Sequence, residues 1–307
     1  MIRIEETRTQ IVRRSVRVDG RQVSYLTVAD PTAEEPILLI HGSGVSARYW
    51  TEQLRGLART LRVLALDLPG HGESDPIADS SVEAYADVVA EFLAVLGTGP
   101  VFVAGHSLGG AVALAFAARR AHAVRGLILL SSCAKLSRTN SWTENMLSYL
   151  PGPLRKILFF MMAKKMLFAP GASDLAVRLG MQELVACRAE TILKDLQAAK
   201  AMDLTEQASG LDVPALIMCG SRDKVTPPVL SERLHELIRR SRLDIIERTG
   251  HMVLLEAPER VNRAILDFIG SLGVQREAAL SQRFREAPMR SLLRSLRDRA
   301  RALFRCR

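Results

Sequence analysis

Apolar and polar residues alternate first along the chain's N-terminal stretch. "SVRVDG" (15–20) and "RQVSYLTVA" (21–29) alternate around an Asp-Gly pair, which predicts an antiparallel hairpin. The pattern then changes to short, continuous apolar runs: "ILLI" (37–40), "RVLALD" (62–67), "PVFVAG" (100–105), "GLILLS" (126–131), "PALIMCG" (214–220) and "RLDIIE" (242–247). Runs of this kind suit strands covered on both faces of a parallel sheet. Helical spacing separates most of them. "VEAYADVVAEFLAVLG" (82–97) ends at a glycine, and "APERVNRAILDFIGSLG" (257–273) has its proline early and its glycines late, as helix ends prefer. Alternating strands and helices imply an α/β fold with helices on both sheet faces. One interval breaks the rhythm. From Ser131 to Val213 no strand pattern occurs, and "TENMLSYL" (143–150), "LRKILFFMMAKKMLF" (154–168) and "AETILKDLQAAKAMDL" (189–204) are helical in character. The expected organisation is a core from 1–132 and 211–273, a helical insertion at 133–210, and a separate tail at 274–307.

Composition narrows this picture. Of 307 residues, 48% are hydrophobic, enough for a large core. No uninterrupted apolar run reaches the ~18 residues of a membrane span. The first twenty residues lack the apolar block of a secretory signal, so the expected location is cytoplasmic. Cys133, Cys187, Cys219 and Cys306 form no CxxC pair, so they are expected to be reduced thiols rather than a zinc site or a disulfide framework. No metal spacing and no phosphate-loop or dinucleotide glycine pattern occurs, so neither metal nor cofactor is expected.

The net charge of +9 is misleading, because residues 276–307 carry +7 of it. The body is nearly neutral, and no nucleic-acid partner is expected. Within the tail, Leu292, Leu293, Leu296, Ala300, Leu303 and Phe304 fall at helical spacing, with arginines on the other faces. Residues 288–307 therefore read as a cationic amphipathic helix, suited to peripheral contact with an anionic membrane, such as the inner membrane surface. Docking on the protein's own surface, a partner helix or a solvated extension would fit the same pattern.

Gly105-His106-Ser107-Leu108-Gly109 is a G-x-S-x-G pattern between a predicted strand and a predicted helix. That context forces the serine into a tight turn and sets it at a helix N-terminus, where free N–H groups favour negative charge. A serine hydroxyl needs a base, and the base needs an orienting acid. His251 lies in the loop after the last predicted strand, and Asp223 in the loop after the strand before it. Both loops lie at the sheet edge that carries Ser107. The chain order serine, aspartate, histidine fits this arrangement. The other five histidines fit less well: His41 and His71 sit in glycine turns, His106 adjoins the serine but points away from it, and His122 and His235 lie in or beside helices. "DLPGHGES" (67–74) reads as turn chemistry with a structural role. Tyr49 and Trp50 would line a pocket or pack in the core.

Four segments, "HGSG" (41–44), "DLPGHGES", "GHSLGG" (105–110) and the pair "GSRDKVTPP" (220–228) with "GHMVLLEAPERV" (250–261), make residues 20–273 resemble the capped branch of the α/β-hydrolase superfamily. The resemblance implies a mostly parallel eight-stranded sheet with the insertion as a cap. It implies an oxyanion hole formed by the backbone N–H groups of Leu108 and Ser43, with Gly44 replacing Ser43 if the loop is shifted. Serine at the elbow sets the chain apart from relatives with aspartate there. "GHSLGG" looks most like esterases, lipases and thioesterases, whereas ring-cleaving C–C hydrolases more often carry asparagine at position 106. The resemblance thus implies a carboxylic-ester hydrolase acting on a small ester or acyl substrate through Ser107, with a thioesterase, lactonase or C–C hydrolase as alternatives. A small-molecule receptor on the same fold is a further alternative. The methionine-rich run at 156–168 would line an acyl pocket or pack the cap on the core.

Overall fold

In the computed structural model, residues 10–136 and 161–274 are described. β1 (Ile11–Val18) and β2 (Arg21–Val28) form the expected hairpin, with Ile11 opposite Val28 and Val18 opposite Arg21. Asp19 and Gly20 both take positive φ, 46° and 75°, as a tight hairpin turn between twisted strands requires.

Six further strands follow: β3 (Pro36–Ile40), β4 (Arg62–Leu66), β5 (Val101–His106), β6 (Val124–Leu130), β7 (Ala215–Gly220) and β8 (Ser241–Ile246). They form one sheet in the order β1-β2-β4-β3-β5-β6-β7-β8. β1–β2 and β2–β4 are antiparallel, and every other neighbouring pair is parallel. The helices α1 (Thr51–Leu57), α2 (Val82–Val95) and α3 (Leu108–Arg119) belong to the first part of the core. β5 and β7 are buried along their whole length, which explains their unbroken apolar runs. β8 is an edge strand, only partly buried, and its sequence is correspondingly mixed.

Between β6 and β7 lie the described helices α4 (Asp174–Ala186), α5 (Ala189–Ala201) and α6 (Thr205–Ser209), after a helical stretch at 161–167. The sequence reading did not single out α4. Ser173 caps it by accepting the Ala176 N–H, but its large apolar residues Leu175, Leu179 and Val185 are exposed, so it shows no clean inward stripe. Met161, Met162 and Met166 are also exposed. The segment 143–150 and the amphipathic tail at 288–307 lie outside the described residues.

After β7 come α7 (Pro228–Leu237) and, beyond β8, α8 (Val253–Glu256). The helix expected at 257–273 occupies 258–274, separated from α8 by a break at Ala257. The chain divides into two compact units, Met1–Asn262 and Arg263–Arg307, and the second is described only through residue 274. No described helix is long and apolar enough to cross a membrane.

Candidate active site

Ser107 joins the end of β5 to the start of α3 with φ 53° and ψ −120°, a conformation rare for a residue with a side chain. The surrounding backbone enforces it. A Cβ at Gly105 would lie 2.2 Å from the Gly109 carbonyl oxygen, and one at Gly109 would lie 2.3 Å from that of His41. The turn is pinned by the Ser107 N–H donating to Leu130 O (2.9 Å) and by Ser132 Oγ donating to Ser107 O (2.8 Å). The Ser107 hydroxyl itself bonds to no described residue, which leaves it free to meet a substrate.

Asp223 and His251 come together at the same sheet edge. The His251 Nδ1–H donates to Asp223 Oδ2 at 2.9 Å and lies 3.1 Å from Oδ1, with both side chains buried. The Asp223 carboxylate also accepts the N–H groups of Val225 and Thr226 and the Thr226 hydroxyl, each at 2.9 Å. Burial alone would raise this carboxyl, but the His251 charge and the hydrogen bonds from His251 and Thr226 outweigh it and hold Asp223 below the usual range. Nδ1 is committed to the acid, so Nε2 is the ring nitrogen left to exchange a proton.

His106 links the serine turn to the histidine loop. It does not simply point away. Its Nε2–H donates to the His251 carbonyl at 2.9 Å, and the two rings lie 4.9 Å apart. Burial, followed by the nearby His251 charge, pushes His106 down to about 3, so it is neutral at pH 7. The sequence reading also passed over Thr226. Its signal was the Asp-x-x-Thr spacing of "DKVT", in which an aspartate accepts from its own following turn.

The loop after β3 lies against Ser107. A Cβ at Gly42 would stand 3.0 Å from Ser107 Cβ. Ser43 follows directly, and Leu108 is the first residue of α3, so both N–H groups are candidates for an oxyanion. Gly44 takes φ 75° beneath Leu184 and Ile192 of the inserted helices. The loop is held from two sides. Asp67 accepts the Ala47 N–H at 2.7 Å and pairs with Arg13. Ser46 donates to Glu183 of α4 at 2.5 Å.

The remaining candidates are structural. His41 Nε2 accepts the Leu68 N–H at 3.0 Å and its Nδ1–H donates to Gly42 O at 2.7 Å. Burial, then the His71 charge, lowers His41 to about 4. His71 Nε2 lies 2.9 Å from Asp195 of α5, and the Tyr85 hydroxyl donates to the same carboxylate at 2.9 Å. Tyr49 and Trp50 are core residues, and the Tyr49 hydroxyl donates to Met252 Sδ. Cys133 and Cys219 are buried, and burial pushes the Cys133 thiol up to about 12. Among the described residues no group of three or more His, Cys, Asp and Glu side chains could hold a metal ion.

The sequence pattern of the alpha/beta hydrolase family matches residues 37–264, which span β3, the elbow, the insertion and the histidine loop. The chain belongs to the alpha/beta hydrolase family. Among relatives of this alpha/beta hydrolase is a pimeloyl-[acyl-carrier protein] methyl ester esterase of Neisseria meningitidis serogroup C, 33% identical over 78% of this chain and 95% of its own. A 2-hydroxy-6-oxo-2,4-heptadienoate hydrolase of Pseudomonas putida is 28% identical over 79% of this chain and 91% of its own. Among solved structures, a thermophilic esterase superposes with a TM-score of 0.74 at 29% identity, over 86% of this chain and 99% of that one. A bacterial membrane phospholipase A gives 0.74 at 26% identity, over 88% and 89%. The protein is a hydrolase of the esterase type, with the mostly parallel eight-stranded sheet of this fold.

Proposed function

We propose that the chain cleaves a carboxylic ester through an acyl-enzyme on Ser107. The observation that carries this is the Asp223–His251 contact of 2.9 Å at the sheet edge where the strained Ser107 is displayed. In the first half-reaction Ser107 Oγ attacks the ester carbonyl and passes its proton to His251 Nε2. The negative carbonyl oxygen is met by the N–H groups of Leu108 and Ser43, each worth about 2.7–4 kcal/mol at the transition state. Collapse breaks the C–O bond, and the imidazolium gives its proton to the departing alcohol. Asp223 stabilises that imidazolium and fixes its tautomer. Water, deprotonated by His251, then attacks the acyl-serine and releases the acid. No step calls for a metal or a cofactor. The helices of the insertion, at 133–210, act as the cap, with Leu184 and Ile192 over the oxyanion loop. Residues 288–307 give the protein a means of peripheral contact with an anionic membrane, from which a lipid-like ester would be drawn.

The test is hydrolysis of nitrophenyl esters from acetate to palmitate, by the wild type and Ser107→Ala, with neutral and with anionic vesicles. Ser107→Ala is expected to lower kcat at least about 10³-fold. Ester turnover that survives the substitution would sink the acyl-enzyme on Ser107, and an enzyme inert on every ester would sink the ester reading and favour C–C, thioester or lactone substrates. Equal binding to the two kinds of vesicle would sink the membrane contact.

A further inference from the structure

Residues 165–170 of the insertion are stitched to both loops that carry the acid and the base. Lys224 Nζ donates to Lys165 O at 3.3 Å and Arg222 Nη1 to Pro170 O at 3.4 Å, on either side of Asp223. The Met252 N–H donates to Leu167 O at 3.1 Å, one residue beyond His251. The segment runs so close that a Cβ at Gly250 would stand 2.6 Å from Ala169 N.

Glu256 sits at the centre of this seam. It is the last residue of the four-residue α8. Its partners explain its placement. Oε1 accepts the Gly250 N–H and Oε2 accepts the Ala169 N–H, both at 3.0 Å. One carboxylate thus bridges the residue before His251 and the backbone of the insertion, using one oxygen for each.

We infer that Glu256 is a positioning residue that clamps the His251 loop to residues 165–170, so that seating of the base depends on the cap. The clamp stands on the hydrogen bonds alone, whereas its catalytic consequence rests on the acyl-enzyme reading above. Glu256 also contributes a negative charge near His251. The other groups facing that ring are Asp223, Thr226 and His106, and those around Glu256 are Asp223, His251 and Tyr49.

The experiment compares wild type, Glu256→Gln and Glu256→Asp by ester kinetics across pH and by amide hydrogen exchange. Glutamine keeps one acceptor but turns an amide NH2 toward the other N–H. Its kcat is expected to fall about 10²-fold, as for a base misplaced by about 1 Å, with KM little changed. Exchange at Gly250 and Ala169 should rise more than tenfold, while the β5–β7 amides keep their protection. Glu256→Asp keeps the charge but is one methylene too short to bridge both amides, so it should not restore kcat. A wild-type kcat in Glu256→Gln, or unchanged exchange at both amides, would overturn the inference, even if the melting temperature dropped. If the wild type shows no Ser107-dependent turnover, the acyl-enzyme reading has failed, and the exchange measurement alone then decides the clamp.

Discussion

At the scale of single residues, Ser107 carries backbone strain that its glycine neighbours make tolerable. A non-glycine residue at φ 53° costs on the order of 1–3 kcal/mol, and it persists only where the surroundings over-determine it. Gly105→Ala would place a methyl 2.2 Å from the Gly109 carbonyl, a rigid backbone atom that cannot turn aside. The substitution should lower the urea midpoint markedly and remove ester turnover. Gly99→Ala is the control, since nothing lies within 4 Å of its Cβ and its φ is ordinary. Equal midpoints and activities for the two variants would show that the elbow does not need this glycine. The same contacts explain why the elbow could be read directly from the sequence. A constraint between residues 105 and 109 is local and forces a fixed spacing of residue types. The second role of His106, gripping the His251 carbonyl, joins positions 145 residues apart and leaves no such trace.

At the scale of elements, strands were easier to read than the insertion. β3, β5, β6 and β7 are covered on both faces, so each appears as an unbroken apolar run between turns. α4 turns Leu175, Leu179 and Val185 outward, and a pattern that points to solvent gives no reason to place a helix against the core. α5 packs Ala198 into the core and is also attached by polar groups. Asp195, fully buried, meets His71 from the loop after β4 and the Tyr85 hydroxyl from α2. "DLPGHGES" is structural, as its turn residues suggest, but its partner lies 124 residues away in the insertion. Asp195→Ala would remove the partner of a buried imidazole nitrogen, His71 Nε2, and of the buried Tyr85 hydroxyl, at a cost of about 3 kcal/mol. If this cluster fastens the insertion, amide protection in α5 should fall well before that of β5–β7, and limited proteolysis should cut there first. Unchanged α5 protection in the variant would show that apolar packing, not this cluster, holds the helix.

At the scale of the whole molecule, two buried neutral histidines make the fold acid-sensitive. His41 and His106 are lowered to about 4 and about 3, in each case first by burial and then by a neighbouring histidine's charge. In the unfolded chain both return to the ordinary value near 6.5, so on acidification the unfolded state takes up protons that the folded state refuses. Stability therefore falls as pH drops below about 6.5, and the loss continues until the folded-state values are reached near 4 and 3. Asp223, held low, contributes stability above the ordinary carboxylate range and loses it only below that range. Glu256, held high by burial, acts in the opposite sense, because its unfolded form ionises first as pH rises. Asp223 therefore acts below the histidine window, whereas Glu256 acts inside it and subtracts from the slope that His41 and His106 set. The unfolding free energy of the full chain, from urea titrations, should fall steadily from pH 6.5 to pH 4, by on the order of a few kcal/mol. His106→Gln, whose amide can still donate to the His251 carbonyl, should start less stable at pH 7 and fall less steeply. A slope parallel to the wild type's would mean that His106 does not carry the effect. His106 holds the end of β5 to the loop after β8, and His41 ties the loop after β3 to that after β4. Protonating them should therefore loosen the sheet's catalytic edge together, so acid loss of ester turnover should track the fall in stability in the wild type and part from it in the variant.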